Sequence, residues 1–127
     1  MAVAHVTTVR NGMADYVVDL IDAGGAGTLE FQTSGDVMVA TVTFSATAFG
    51  NAGAVTEGLA TAAAITEDSS AVGGTVAKFR IFSGTPSEIL EGTVSLTGNG
   101  GDIIMSSLTV AATDRVSLDS LTYEAAA

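Results

Sequence analysis

The chain has 127 residues, 15 of them glycine, with one histidine, no cysteine, no tryptophan and a formal net charge of −10. That length suits a single domain, 1–127, with a hydrophobic core of its own. Four basic residues against 14 acidic ones exclude a nucleic-acid footprint, the lack of cysteine excludes disulfides and thiolate metal sites, and no apolar run reaches the roughly 18 residues that span a bilayer.

The chain opens on Met1-Ala2-Val3-Ala4-His5, which carries neither the basic region nor the apolar stretch of a cleaved signal, so synthesis in a cytoplasm is expected. Residues 3–9 read as a first strand, and 1–10 as a whole could instead form an extended arm. Asn11 then caps a helix from Gly12 to Ala23, closed by Gly24-Gly25. Met13, Tyr16, Val17, Leu20 and Ile21 share one face of that helix and predict its buried side. Asp15, Asp19 and Asp22 share the other and predict its solvated one.

After Gly27 the apolar period changes from 3.6 to two. Thr28–Gln32 and Val37–Phe44 form a hairpin around Ser34-Gly35-Asp36, and the second strand, apolar on both sides, reads as central in its sheet. Residues 45–58 are a long Ala/Gly/Asn connection pinned by Phe49. Leu59–Thr66 is a small-residue strand whose alanine run would equally suit a helix. Thr75–Phe82 alternates with Ala77, Phe79 and Ile81 on one face and pairs with Glu88–Leu96 across a turn at Pro86, although Gly92 weakens the second strand. Asn99-Gly100 predicts another hairpin, into Ile103–Val110. Arg115–Tyr123 closes the chain with a bulge where its apolar register shifts. About eight strands, one helix and no internal repeat predict a mainly β, single-domain antiparallel β-sandwich, jelly-roll or small barrel with one short N-terminal α-helix.

Little here points to catalysis. His5 is the sole side chain with an ordinary pKa near neutrality, and it has no neighbouring Asp, Ser or Cys in sequence to form a catalytic set. Asn99-Gly100-Gly101-Asp102 faintly echoes a calcium-binding glycine-rich repeat, but it occurs once and lacks the stacked copies that complete such sites. No phosphate-binding glycine motif is present, and the aromatic residues are too few to line a sugar cleft beside a core. Lys78 and Arg80 lie on the outward face of their strand, where they are plain surface residues or pair with a neighbouring subunit. The expectation is a structural or binding protein with no catalytic residue, no cofactor and no metal.

Thr7-Thr8-Val9-Arg10-Asn11-Gly12-Met13-Ala14-Asp15, Gly27-Thr28-Leu29-Glu30-Phe31, Val39-Ala40-Thr41-Val42-Thr43-Phe44, Gly73-Gly74-Thr75, Lys78-Phe79-Arg80 and Ser120-Leu121-Thr122-Tyr123 together resemble small virion proteins of tailed bacteriophages. Within that group the chain is most similar to capsid decoration, or cement, proteins. The resemblance implies a homo-oligomer, with a trimer favoured, made in the host cytoplasm and bound to the major capsid protein on the virion surface, with no nucleic-acid or membrane partner. Val3 and His5 in the N-terminal segment, Phe49 and Asn51 in the long loop, and Lys78 and Arg80 on their strand are the candidate partner contacts. A tail or fibre-associated virion protein and a calcium- or carbohydrate-binding β-module are the competing expectations.

Overall fold

A computed structural model describes residues 5–53 and 58–125. The architecture is mainly β, with one N-terminal helix and a mixed sheet curled into a half-barrel. Helix α1 runs Thr7–Ile21 and is followed by β1 (Thr28–Gln32), β2 (Met38–Thr43), β3 (Leu59–Thr61), β4 (Gly74–Thr75), β5 (Lys78–Phe82), β6 (Glu88–Leu96), β7 (Ile103–Met105), β8 (Thr109–Val110) and β9 (Thr122–Glu124).

The main sheet has the order β2-β1-β5-β6-β7, and two short ladders, β3-β9 and β4-β8, stand apart from it. Its centre is β1, antiparallel to β2 on one side and to β5 on the other, with Phe31 opposite Ala40 and Phe79. Alternation does the expected work there. Leu29 and Phe31 of β1, and Phe79 and Ile81 of β5, point into the core, while Glu30, Lys78 and Arg80 face out. The β5–β6 hairpin also forms as expected. Gly92 sits opposite Phe79 in it, and a Cβ on Gly92 would fall 2.6 Å from the Phe79 ring. The ring occupies the space the glycine leaves, so a residue that weakens a strand in isolation admits a core aromatic here.

Four local expectations are corrected. Residues 7–9 open α1 instead of closing a strand: the Val6 carbonyl accepts from Val9 N and Arg10 N, both at 3.0 Å, so the helix starts about five residues before Gly12. Asn11 is therefore inside the helix and caps nothing. Secondly, β2 is an edge strand. Its two-sided apolarity is met by an irregular segment, where Thr43 and Thr66 exchange backbone hydrogen bonds and Val72 N donates to Val39 O at 2.9 Å. Covering an edge in this way satisfies its open backbone groups without another strand.

Thirdly, the Asn99-Gly100 turn does not make a hairpin strand. The chain reverses, and Ser95 Oγ accepts from Gly101 N at 2.8 Å while the Asp102 carboxylate accepts from Thr93 N at 2.9 Å. The chain then doubles back, so β7 runs parallel to β6, with Val94 opposite Ile103. Gly98 and Gly100, both at positive φ, permit the tight reversal. Finally, the expected strands 103–110 and 115–123 are broken. The first divides into β7 and β8, and the second survives as an isolated bridge at Val116 and as β9.

The core joins the inner face of the sheet to Ala14, Val18 and Ile21 of α1, with Phe44 and Phe49 in tilted contact at 5.7 Å between ring centroids. The long connection is pinned by Phe49 as its sequence suggests.

Candidate assembly surface

Helix α1 shows which of its sides serve the fold and which do not. At 100° per residue, Ala14, Val18 and Ile21 define an arc that faces the core. Of the acids expected on a solvated face, Asp19 is exposed, but Asp15 and Asp22, on a neighbouring arc with Asn11, are engaged by the chain itself. Asp15 Oδ1 accepts from Ala52 N at 2.6 Å, Asp22 Oδ1 from Ala48 N at 2.8 Å, and Asn11 Oδ1 from Gly58 N at 2.7 Å. These three side chains hold the long connection against the helix at residues 48, 52 and 58. For Asp22 that contact also compensates an acid placed at the unfavourable C-terminal end of the macrodipole.

Of the apolar residues expected on the buried side, Ile21 is buried and Met13 and Val17 are half-buried, but Tyr16 and Leu20 are left open. Tyr16 is 68% exposed, Leu20 38% and Val9 44%, and Val6, just before the helix, is 70% exposed; Met13 is half-buried. Each of Val6, Val9, Met13, Tyr16 and Leu20 follows the previous one by three or four residues in alternation. They form one stripe, roughly 80° wide, next to the core-facing arc. Together the two give α1 an apolar surface about twice as wide as a helix needs to sit on a single core. Beside this stripe lies a shallow groove to which His5, Gly12 and Tyr123 contribute, and Tyr123 belongs to β9, one of the strands that pack near the helix.

The other candidate residues are placed as follows. Val3 lies outside the described residues. His5 is exposed and borders the groove. Phe49 is 4% exposed and belongs to the core, so the surface of its loop is represented by Asn51, which is exposed. Lys78 and Arg80 do face outward, but they are engaged within the chain. Lys78 pairs with Asp36, and the Arg80 guanidinium reaches Glu91 and Glu88 at 3.0 Å and Asp36 at 3.4 Å. The hydrogen bond from Arg80 holds the Glu91 carboxyl below the ordinary glutamate range, and the same bond raises Arg80. The fold thus places His5 beside the helix stripe, Asn51 on the long connection and Lys78 and Arg80 in an ion-pair network on the outer face of β5.

Several other acidic side chains hold backbone N–H groups of the chain. Asp68 accepts from Thr41 N at 2.9 Å and Asp114 from Ala111 N at 2.9 Å, beside the Asp102 contact described above. Among the described residues, no group of three or more His, Cys, Asp or Glu side chains is gathered as metal ligands would be. No described helix is long and apolar enough to cross a membrane.

The stripe was within reach of the sequence. Its spacing runs unbroken from Val6 to Leu20, but placing a strand up to Val9 and a helix from Gly12 cuts the pattern in two. No family model, no curated protein and no solved structure matches the chain.

Proposed function

We propose that this chain is a structural subunit of a bacteriophage virion, a capsid decoration protein that associates with itself and binds the shell of major capsid protein. The observation that carries this reading is the open apolar stripe of α1. A contiguous apolar patch on an otherwise acidic domain marks a surface destined for protein. A supporting feature is that Asp15, Asp22, Asp68, Asp102 and Asp114 each hold a backbone N–H of their own chain. Acidic side chains used in this way fix loops and do not assemble a reaction centre. The subunit acts by occupancy: each copy covers surface on the shell, and linked copies hold far more tightly than one, because the second contact is made at high effective concentration.

The test is to add purified protein to capsids that lack it. Co-sedimentation at saturable stoichiometry, with a higher temperature of capsid disruption, is the expected result. Failure to bind capsids, or binding confined to tails or fibres, overturns the decoration role.

A further inference from the structure

We infer that Asn99 is a self-modification site, at which the Gly100 nitrogen displaces ammonia from the Asn99 carboxamide and water then leaves an aspartate or isoaspartate in the turn between β6 and β7. This goes beyond the decoration reading and does not depend on it, since the reaction needs only the folded chain and water.

The step balances within two neighbouring residues. The main-chain nitrogen of Gly100 attacks Asn99 Cγ and gives up its proton, closing a succinimide ring. The bond from Cγ to Nδ2 breaks, and Nδ2 leaves as ammonia carrying that proton. Water then reopens the ring at one of its two carbonyls. Cleavage at Cγ leaves an aspartate, whereas cleavage at the Asn99 main-chain carbonyl leaves isoaspartate, with the chain running through Cβ and Cγ.

The reaction requires that both groups be free and is fastest where the second residue has no side chain in the way. The chain's three asparagines, Asn11, Asn51 and Asn99, meet that requirement unequally. Asn11 also precedes a glycine, but it lies inside α1, where the following N–H belongs to the helix ladder. Its Oδ1 accepts from Gly58 N at 2.7 Å, and a Cβ on Gly53 would fall 2.8 Å from its Cγ, so the carbon to be attacked lies against the long connection. Asn51 is exposed, but the nitrogen after it, Ala52 N, donates to Asp15 Oδ1 at 2.6 Å. At Asn99 neither restraint operates. Among the described residues, its carboxamide and the Gly100 N–H have no hydrogen-bond partner. Residues 96–100 are exposed, and nothing lies within 4 Å of the space a Cβ would fill at Gly98 or Gly100, so neither the ring nor the attacking water meets a wall. Two free groups on adjacent residues then react with the advantage of an intramolecular pair.

The product acts on the reversal of the chain. Gly101 N and the Asp102 carboxylate, just beyond the reacting pair, are the groups that tie the returning chain to Ser95 and Thr93. Isoaspartate lengthens the main chain by a methylene between Leu96 and those ties, and both products add a negative charge near Asp102 to a chain already at −10. The ladder between β7 and β6 has only the pairs Val94 with Ile103, Ser95 with Ile104 and Leu96 with Met105, so β7 is the strand that loosens.

Trypsin separates the competing sites. Cleavage after Lys and Arg gives a peptide 81–115 whose sole asparagine is Asn99, and a peptide 11–78 that carries Asn11 and Asn51. The native protein is held at mildly alkaline pH, where the Gly100 nitrogen gives up its proton more readily, and is sampled over days. The mass change from amide to acid is followed in each peptide, and isoaspartate methyltransferase with labelled S-adenosylmethionine detects the isoaspartate. Both signals should accumulate in 81–115 roughly tenfold faster than in 11–78, or more, because the fold withholds the reacting groups of the other two asparagines. Asn99→Gln should abolish them in 81–115, since the longer side chain closes its ring far more slowly. In guanidinium chloride, with α1 and the Gly58 contact unfolded, the two peptides should react at similar rates. No change in 81–115 of the native protein, or equal rates in the two peptides before unfolding, overturns the inference. Amide exchange at Ile103–Met105 should quicken in the modified protein while β1 and β5 stay protected, and unchanged exchange there overturns the effect on β7.

Discussion

The central strands and the segments that wrap them are held by different chemistry. From β2 through β1 and β5 to β6, the chain is fastened by continuous backbone ladders and by alternating side chains driven into one core. The wrapping segments, 44–53 and 58–73, have short ladders, isolated bridges and scattered backbone hydrogen bonds, to which single side chains reaching across to backbone N–H groups add further points of attachment. In the sheet, losing one hydrogen bond leaves its neighbours in place. In the wrapping segments the backbone bonds are scattered, so losing one such side chain removes a local point of attachment, and several aspartates of an acidic chain serve there as acceptors for backbone N–H groups.

The comparison is broken most severely at its strong end. Phe31 is buried in β1 between Ala40 and Phe79. Phe31→Ala should lower the unfolding free energy by about 3–5 kcal/mol, the range for emptying an aromatic site in a packed core. Urea denaturation followed by circular dichroism measures it, and a loss below about 1 kcal/mol would mean that the sheet is not the stabilising centre described here.

At the weaker end, Asp15→Ala should cost about 1–3 kcal/mol from the lost charge-assisted bond and the stranded Ala52 N–H, less up to about 0.7 kcal/mol regained because alanine is the better helix former. Its place matters more than its size. Amide exchange should accelerate at Ala52 and nearby loop residues while β1 and β5 stay protected. Asp22→Ala should do the same at Ala48. Equal acceleration in loop and sheet would show that the two regions unfold together and would remove the distinction.

Gly92→Ala probes the packing of the sheet itself, where β6 lies between β5 and β7. The added methyl meets the Phe79 ring and also approaches Asp102 Oδ2, at 2.8 Å. A cost of about 1–3 kcal/mol is expected for this overpacking, in the same denaturation experiment. Gain of stability, as glycine replacement in an open strand would give, would show that Phe79 moves aside freely.

What the sequence disclosed follows the same division. β1 is read at 28–32 and β6 at 88–96, both with the observed bounds, because alternation and turn residues are local signals that the ladders then reinforce. The beginning of α1 is missed because its N-cap position is Val6, which makes no side-chain cap, and the residue read as the cap, Asn11, is used by Gly58, 47 positions away. The edge position of β2 is hidden because its cover is an irregular segment with no strand pattern. Lys78 and Arg80 are read correctly as outward, but their partners depend on register: Glu91 stands opposite Arg80 on β6, and Asp36 comes from the β1–β2 turn. For the candidate surface, a chain that is 47% hydrophobic and 14% charged carries an apolar surplus, and only the buried arc of α1 shows where the surplus lies.

The outward ion pairs of β5 sharpen the comparison from the other side, since they lie on the strongly held sheet and should add least to it. The folded Glu91 carboxyl is held below its ordinary range by the Arg80 hydrogen bond, so whatever stability it contributes is present at neutral pH and above the ordinary glutamate value. That contribution declines as pH falls below about 4.3 and is gone once pH has passed through the lowered folded value. Glu91→Gln should therefore melt slightly below the wild-type protein at pH 7, with the gap closing on acidification, as calorimetry across this range can measure. Exposed pairs of this kind contribute little because water already solvates both partners, and the β5–β6 backbone ladder remains when the charge is removed. Amide protection in β5 and β6 should consequently be the same in the two proteins at pH 7. A marked loss of protection there would mean that the sheet depends on its surface charges, as the wrapping segments depend on their aspartates, and that the two regions are held by one kind of chemistry after all.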